Sequence, residues 1–210
     1  MLTVNEIFRS IQGESTRSGL PCVFIRLQGC DLSCSYCDTA YAKNTRGGHA
    51  MSIRTVLNKV FEFSGSMIEV TGGEPLLQED TLDLLNALTN KSNMPVLLET
   101  NGSIKLTPNR HYTVIMDLKC PSSGASDSFC RDNAEMLTEH DEVKCVIRNR
   151  EDFDWTVDKV KEFGLFERGI AVLLAPVYGE CDLNRLAGWI LESELPFRLQ
   201  PQLHKIAGLI

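Results

Sequence analysis

Three cysteines lie close together near the start of the chain. Cys30, Cys34 and Cys37 follow an apolar segment and a turn at Gly29, in the spacing C-x3-C-x2-C. Thiolates on one compact loop can bind three irons of a four-iron, four-sulfur cluster and leave the fourth iron open to a further ligand. An open iron is a place for chemistry, so the spacing predicts a reactive site rather than a structural one.

A zinc site is the alternative interpretation of these cysteines. Structural zinc takes four ligands, mostly cysteine and histidine, and neither residue type occurs between Asp38 and Gly48. His49 stands 12 residues after the triad. The remaining cysteines show no second cluster spacing, and we expect most of them to pack in the core. The cluster is therefore favoured over zinc.

Strand-length apolar segments alternate with amphipathic helical segments along the chain. The predicted strands are 22–27, 67–71, 96–100, 113–118, 142–147, 170–175 and 197–200. The predicted helices are 52–63, 80–90, 151–163 and 183–192. Such alternation is typical of parallel strands joined by helical crossovers, whose carboxyl ends carry the functional loops. The sequence thus predicts an α/β fold, a partial (β/α) barrel of about six parallel strands, with residues 1–210 forming a single domain.

Charge and hydropathy exclude two classes of partner. The chain has 28 acidic and 21 basic residues, and no basic run could neutralise a row of phosphates, so nucleic-acid binding is not expected. Residues 1–15 form no signal-peptide core, and no segment approaches about 18 consecutive apolar residues, so no membrane segment is expected. We predict a cytoplasmic protein whose eight cysteines are reduced thiols or metal ligands.

Three further segments follow predicted strands. Gly72 and Gly73 let backbone atoms approach a ligand without an intervening side chain, although in isolation they indicate an ordinary strand-to-helix turn. Glu99 closes another strand and is either a rim carboxylate bonded to nearby amides or a group facing a ligand. Ser122, in the loop after segment 113–118, is either a turn cap or a ligand contact.

The cysteine triad, with Tyr36 directly before its last cysteine, and the Gly-Gly-Glu-Pro segment at 72–75 together resemble the radical S-adenosylmethionine superfamily. The resemblance implies a radical SAM core that binds a 4Fe-4S cluster and S-adenosylmethionine. Tyr36 would lie near the adenine, and the glycine backbone would meet the amino group of the methionine moiety. The implied cofactor contacts are Tyr36, Asp38, Gly72, Gly73, Glu74 and Ser122.

The chain as a whole resembles the 7-carboxy-7-deazaguanine synthase family. The resemblance rests on residues 6–15 (EIFRSIQGES), 37–39 (CDT), 119–124 (KCPSSG) and 200–205 (QPQLHK). It implies that Arg26 pairs the substrate carboxylate, that Thr39 holds Mg²⁺, and that Glu99 and His204 have catalytic roles. The implied substrate contacts are Ile11, Gln12, Gly13, Glu14, Arg26, Thr71, His204 and, through the terminal carboxylate, Ile210.

The reaction implied by this resemblance is a radical ring contraction. 6-Carboxy-5,6,7,8-tetrahydropterin would become 7-carboxy-7-deazaguanine with loss of ammonia, on the route to queuosine and other 7-deazapurines. A flavodoxin-type protein would supply the electron, and the enzyme would be a homodimer. A glycyl-radical-enzyme activating protein shares the triad and the glycine segment, and a non-catalytic zinc or iron-sulfur module is a further alternative. The strings around Gln12 and His204 favour the synthase.

Overall fold

A nine-stranded sheet runs through the computed structural model, which describes residues 1–209. The strands in chain order are β1 (Leu2–Ile11), β2 (Pro21–Leu27), β3 (His49–Met51), β4 (Met67–Gly72), β5 (Val96–Thr100), β6 (Thr113–Asp117), β7 (Glu142–Ile147), β8 (Ala171–Pro176) and β9 (Arg198–Leu199). Their order across the sheet is β3-β1-β2-β4-β5-β6-β7-β8-β9. β1 runs antiparallel to β2 and β3, and the other neighbours are parallel.

Among residues 1–209, six α-helices accompany the strands. They are α1 (Ile53–Phe61), α2 (Thr81–Lys91), α3 (Asp132–Met136), α4 (Arg150–Glu162), α5 (Leu183–Ser193) and α6 (Leu203–Ile206). The side chains of Ser52, Asn149 and Asp182 accept hydrogen bonds from the first turns of α1, α4 and α5, which explains where these helices begin. Within residues 1–209, none of the helices combines the length and apolar character that crossing a membrane requires.

The predicted α/β fold with helical crossovers is confirmed, but the strand count was wrong. All seven predicted segments form parallel strands, so about six was too few, and the sheet is open, with β3 and β9 as its edges. β1 and β3 were not predicted as strands. β1 interrupts its apolar residues with Asn5, Glu6 and Arg9, and β3 is three residues long and largely exposed, so neither carries the apolar run of a buried strand.

The two faces of the sheet differ in what they bury. One face packs against the helices through residues such as Ile25, Val70 and Leu98. On the other face, Phe24, Leu97 and their neighbours in β4 and β6 form a small apolar cluster. Because side chains alternate along a strand, the next positions on that second face lie two residues further on. Those positions hold Arg26, Glu69, Glu99 and Asp117, so the second face turns from apolar to charged toward the carboxyl ends.

Candidate active site

One cavity lies at the carboxyl ends of the strands and collects most of the predicted site residues. The predicted residues that line it are Ile11, Gln12, Gly13, Glu14, Arg26, Cys30, Cys34, Tyr36, Cys37, Asp38, Thr39, Thr71, Gly72, Gly73, Glu99 and His204. Glu74 and Ser122 are not part of this lining. Ile210 lies outside the described residues. The chain segments that were predicted separately for a cluster, a cofactor and a substrate therefore meet around one space.

The cysteine loop between β2 and β3 fits a cluster. All three triad thiols line the cavity, and all eight cysteines are free of disulfides. Burial raises the pKa of the Cys30 thiol, and the amide of Leu32, which donates to Cys30 Sγ at 3.4 Å, partly opposes this effect. At Gly73, a Cβ atom would lie 2.3 Å from the Gly29 carbonyl oxygen and 2.7 Å from Cys30 Cβ. Only glycine fits there, so the glycine segment and the cysteine loop are built against each other.

The spacing of the side chains around the cysteine triad does not fit a single zinc ion. Within residues 1–209, no three cysteine, histidine or carboxylate side chains approach one common point closely enough to share one ion. The cysteines of a four-iron cluster each bind a different iron, so they need no such convergence. This geometry favours the cluster over the zinc alternative.

A buried acceptor faces the cavity beside this loop. Oδ1 of Asp117 is buried and has no hydrogen-bond partner among residues 1–209, while Asp117 itself lines the cavity. Its other oxygen, Oδ2, accepts from Lys119 at 3.0 Å. A buried acceptor without a partner is costly unless a ligand supplies a donor. The ammonium and hydroxyl groups of S-adenosylmethionine are donors of this kind, so the site also fits that cofactor.

Glu74 connects the glycine segment to the cysteine loop without lining the cavity. Its carboxylate is fully buried and accepts from the amides of Leu76 at 2.9 Å and Asn101 at 2.7 Å, and from the hydroxyl of Thr100 at 2.9 Å. The side chain of Asn101 in turn donates to Asp31 at 3.0 Å. Glu74 is therefore placed to brace the site, and a contact between its side chain and the cofactor stays a prediction.

We expect Glu74 to make stability depend on pH. Desolvation raises its pKa from 4.5 to about 7, although the amide hydrogen bonds favour the charged form. Between these values the folded state holds a proton that the unfolded chain has lost, so the contribution of Glu74 to stability falls as pH rises. Glu74→Gln does not titrate. Between pH 5 and pH 8 the free energy of unfolding of the wild type should fall by about 3 kcal/mol relative to that of this variant.

Urea unfolding of both proteins at pH 5, 6, 7 and 8 measures this difference. The difference between their unfolding free energies should change mainly between pH 5 and 7 and level off at pH 8. Two curves that run parallel across the range would contradict the assignment of the titration to Glu74.

Ser122 and Tyr36 are held by hydrogen bonds to α4 and β7, respectively. The Ser122 hydroxyl donates to Asp152, and its carbonyl accepts from Ser35 Oγ at 2.8 Å, which ties this loop to the cysteine loop. The Tyr36 hydroxyl donates to the carbonyl of Val146 at 3.1 Å, and the guanidinium of Arg148 lies 5.0 Å from the Tyr36 ring centroid. Tyr36 thus presents a fixed aromatic surface to the cavity, whereas the side chain of Ser122 is turned to Asp152.

The turn after β1 packs directly against α6. Gln12 is 4% exposed and donates to the buried carboxylate of Glu69. A Cβ atom at Gly13 would come within 2.1 Å of His204 Nδ1, and the amide of Leu203 donates to the Gly13 carbonyl at 2.9 Å. Burial lowers the pKa of His204, so its imidazole is neutral at pH 7. Gln12 and Gly13 are therefore buried in the wall of the cavity.

Arg26 lies in the cavity wall between two aromatic rings. Its guanidinium carbon is 5.6 Å from the ring centroid of Phe8 and 5.7 Å from that of Tyr41. Nε donates to Glu6 Oε1 at 2.8 Å, and Tyr41 donates to the same oxygen at 2.9 Å. Among residues 1–209, no hydrogen bond from the two Nη groups of Arg26 is found. The hydrogen bond from Nε thus orients the guanidinium, and the two Nη groups remain available to donate to an anion.

Sequence reasoning missed the charged residue at the centre of this wall. Lys144 in β7 is 5% exposed and donates to Glu14 at 2.5 Å and to Glu99 at 2.6 Å. Glu69 in β4, also missed, is 1% exposed. Both interrupt otherwise apolar strand segments. A charge within a strand that is buried on both sides needs a partner or a ligand, and this was the signal that could have revealed them.

Comparison with known proteins agrees with this geometry. The sequence model described as "Radical SAM superfamily" matches residues 24–117. The chain is 40% identical to the 7-carboxy-7-deazaguanine synthase of Chlorobaculum tepidum, covering 97% of this chain and 93% of that protein. It is 38% identical to the 7-carboxy-7-deazaguanine synthase of Koribacter versatilis, covering 97% and 96%. The crystal structure of QueE from Escherichia coli is similar in fold, with a TM-score of 0.78, 24% identity, and 97% and 94% of the chains covered.

The cysteine triad, the glycine segment and these matches define a radical SAM enzyme, a class that uses a 4Fe-4S cluster and S-adenosylmethionine. Within this class, the chain belongs to the 7-carboxy-7-deazaguanine synthase family. The glycyl-radical-enzyme activating protein is not favoured, because the curated relatives match along nearly the whole chain, including the segments around Gln12 and His204. The same matches disfavour a non-catalytic metal-binding module.

Proposed function

We propose that this protein converts 6-carboxy-5,6,7,8-tetrahydropterin into 7-carboxy-7-deazaguanine with loss of ammonia, as a lyase of queuosine and related 7-deazapurine biosynthesis. The observation that carries this proposal is the shared cavity. The cysteine triad forms one side of it, and Gln12, Glu14, Arg26 and His204 form another. A radical enzyme must bring its substrate next to its cofactor, and this arrangement allows that contact.

The cofactors would occupy the side of the cavity formed by the cysteine loop. Cys30, Cys34 and Cys37 would bind three irons of the cluster, which together with S-adenosylmethionine supplies the 5′-deoxyadenosyl radical. Gly72 and Gly73 offer backbone atoms to the methionine moiety, and Tyr36 offers its ring to the adenine. Asp38, Glu74 and Ser122 complete the proposed cofactor contacts, the latter two through backbone atoms since their side chains are engaged elsewhere.

The substrate would occupy the charged side. Arg26 would bind its carboxylate through the two Nη groups. The turn formed by Gln12, Gly13 and Glu14, together with Ile11, would contact the pterin ring, whose N–H groups need acceptors such as carboxylates. Thr71, which donates to Glu99 at 2.9 Å, would lie where cofactor and substrate meet. The proposed contact through Ile210 is carried over from the family resemblance alone.

Glu99 and His204 are the proposed proton-handling residues. Burial opposes ionisation of Glu99, but the neighbouring charge of Lys144 and the hydrogen bonds from Lys144 and Thr71 outweigh it and keep the pKa below the ordinary value. An ionised Glu99 can accept a proton from the substrate ring. His204, neutral at pH 7, can accept one at Nδ1 or Nε2, whichever nitrogen is unprotonated, and would close the pocket above Gly13.

A magnesium ion is proposed next to Thr39. The Thr39 hydroxyl donates to Asp38 Oδ1 at 3.1 Å, and Asp38 Oδ2 accepts from Lys205 at 2.7 Å. Hydroxyl and carboxylate oxygens suit Mg²⁺, which takes its remaining ligands from water and substrate oxygens. The oxygens present at Thr39 therefore fit a magnesium ion, whose charge would offset that of the substrate carboxylate.

The proposal also covers architecture and partners. We infer a single radical SAM domain over residues 1–210, supported by one sheet that begins at Leu2 and ends at Leu199. A partial barrel is supported by contacts across the sheet, where the turn after β1 reaches Glu142 in β7 through Thr16. A cytoplasmic location agrees with eight free cysteines. A flavodoxin-type reductant and a homodimer follow from the family resemblance.

An anaerobic assay tests the function directly. Reconstituted protein with dithionite, Mg²⁺, S-adenosylmethionine and 6-carboxytetrahydropterin should yield 7-carboxy-7-deazaguanine, identified by mass. Protein that holds a full complement of iron and sulfide but gives no such product would refute the proposal.

Thr39→Ala should shift the magnesium concentration needed for half-maximal activity upward, and unchanged magnesium dependence would refute the metal site alone.

A further inference from the structure

Lys144 is surrounded by carboxylates that come from three different parts of the chain. Its ammonium nitrogen lies 2.5 Å from Glu14 in the turn after β1, 2.6 Å from Glu99 in β5 and 3.2 Å from Asp117 in β6. The Lys144 side chain is 6% exposed. A lysine ammonium has three N–H donors, and three acceptors are present. Its hydrogen bonds go to Glu14 and Glu99, and Asp117 lies within ion-pair distance, so its role is to hold these neighbours.

Each of these carboxylates is fixed by a second contact. Glu14 Oε1 accepts from Gln202 at 2.6 Å, and Glu99 Oε2 accepts from Thr71 at 2.9 Å. Glu14 and Glu99 also line the cavity, so each is held by protein contacts and faces the space that a ligand would occupy. Two acidic groups this close together need a cation between them to remain ionised in a buried site.

Glu69 on the neighbouring strand β4 provides an internal comparison. It is fully buried and hydrogen-bonded to Gln12, but Lys144 makes no hydrogen bond or ion pair with it in the described part of the chain. Desolvation and the nearby charge of Glu99 raise its pKa well above the ordinary value, whereas the pKa of Glu99 is lowered. Direct contact with Lys144 is thus the geometric difference between Glu99, whose pKa is lowered, and Glu69, whose pKa is raised.

We propose that Lys144 is a positioning residue that holds Glu14 and Glu99 as a pair of ionised acceptors for the N–H groups of the substrate's nitrogen heterocycle. The inference rests on the proposed function, since it assigns the pair to the pterin. It adds a residue outside the motifs that mark the cluster, the cofactor and the substrate segment.

Lys144→Met removes the charge and keeps the length of the side chain. We expect the dissociation constant of 6-carboxytetrahydropterin, measured by anaerobic equilibrium dialysis with the S-adenosylmethionine-bound holoenzyme, to rise about 100-fold or more. Iron content should stay at the wild-type level, because Lys144 makes no hydrogen bond or ion pair with Cys30, Cys34 or Cys37 in residues 1–209. Wild-type affinity in this variant would overturn the proposal, as would parallel loss of iron and affinity.

The pH profile separates positioning from a purely structural role. The charged groups that face Lys144 are Glu14, Asp38, Glu69, Glu99, Asp117, Lys119 and His204. Without the lysine, burial is no longer offset by a neighbouring cation, so the pKa of Glu99 rises and its protonated form becomes more populated. The kcat/KM of Lys144→Met should therefore increase with pH between about 7 and 9 relative to the wild type. A constant ratio would overturn the proposal.

Two further variants distinguish weaker pterin binding from loss of folding. Lys144→Arg keeps the positive charge beside Glu14 and Glu99, so it should fold and should bind the pterin more tightly than Lys144→Met does. Arg110→Met breaks another buried ion pair, that of Arg110 with Asp141, away from the cavity. It should lower stability and leave affinity and pH profile unchanged. If the wild type forms 5′-deoxyadenosine but never converts the pterin, the proposed function fails, whereas a failure confined to the Lys144 variants concerns this inference alone.

Discussion

We expect Cys34→Ser to abolish formation of 5′-deoxyadenosine, with a fall of at least about 1000-fold. The serine hydroxyl is a poor ligand for the soft iron of a cluster, so the loop would retain two of its three thiolates. Cys34 is half-buried in the cavity wall, where no neighbouring cysteine is available to replace it. Anaerobic reconstitution followed by iron and sulfide analysis should show a substoichiometric cluster in the same preparation.

Cys130→Ser is the matched control for this variant. Cys130 is also half-buried, but it lies outside the cavity, and its hydrogen bonds among residues 1–209 are made by its backbone, whose amide donates to Gly102 and whose carbonyl accepts from Asn133. Its replacement should change activity and iron content by less than about twofold. A Cys34→Ser protein that still cleaves S-adenosylmethionine at the rate of the Cys130→Ser protein would remove the basis for the cluster site.

Arg26→Lys should lower kcat/KM by about 100-fold, chiefly through KM. Lysine keeps the positive charge but loses the planar pair of Nη donors, and a charged bidentate contact contributes about 3 kcal/mol. It also loses the flat packing between Phe8 and Tyr41. Steady-state kinetics under anaerobic conditions, with Arg9→Lys on the exposed side of β1 as control, measure the effect.

A substrate analogue without the carboxylate distinguishes the proposed contact from general disruption. Tetrahydropterin lacking the 6-carboxylate should bind equally weakly to the wild type and to Arg26→Lys, because the group that Arg26 contacts is missing. If the variant loses the same factor of affinity for both compounds, Arg26 acts on the shape of the pocket and does not bind the carboxylate.

The sequence was most informative where chemistry fixes the spacing along the chain. The triad of Cys30, Cys34 and Cys37 and the glycine at position 73 could be identified because each depends on local geometry, and the structure brings them together around one cavity. Six of the seven parallel strands, all except the exposed β9, were likewise visible because strands buried on both faces are continuous apolar runs.

Features that depend on contacts between distant segments could not be predicted in the same way. β1 is half polar and only partly buried, with Arg9 exposed, so its pattern does not resemble a buried strand. The partners of Lys144 come from three other segments, and no local pattern links them. Ser122 is the opposite case, because its residue type suggested a ligand contact that the structure does not show. Its hydroxyl donates to Asp152 instead.

The hydrogen bond between Glu14 and Gln202 joins residues 188 positions apart in the chain. Every parallel strand lies between them in sequence, so this contact forms only after the sheet has been assembled from end to end. Chains dominated by such non-local contacts fold slowly, and their late contacts are lost when any part of the sheet opens. The substrate pocket should therefore be among the last regions to gain protection during refolding, and amide exchange there should report on cooperative unfolding of the whole sheet.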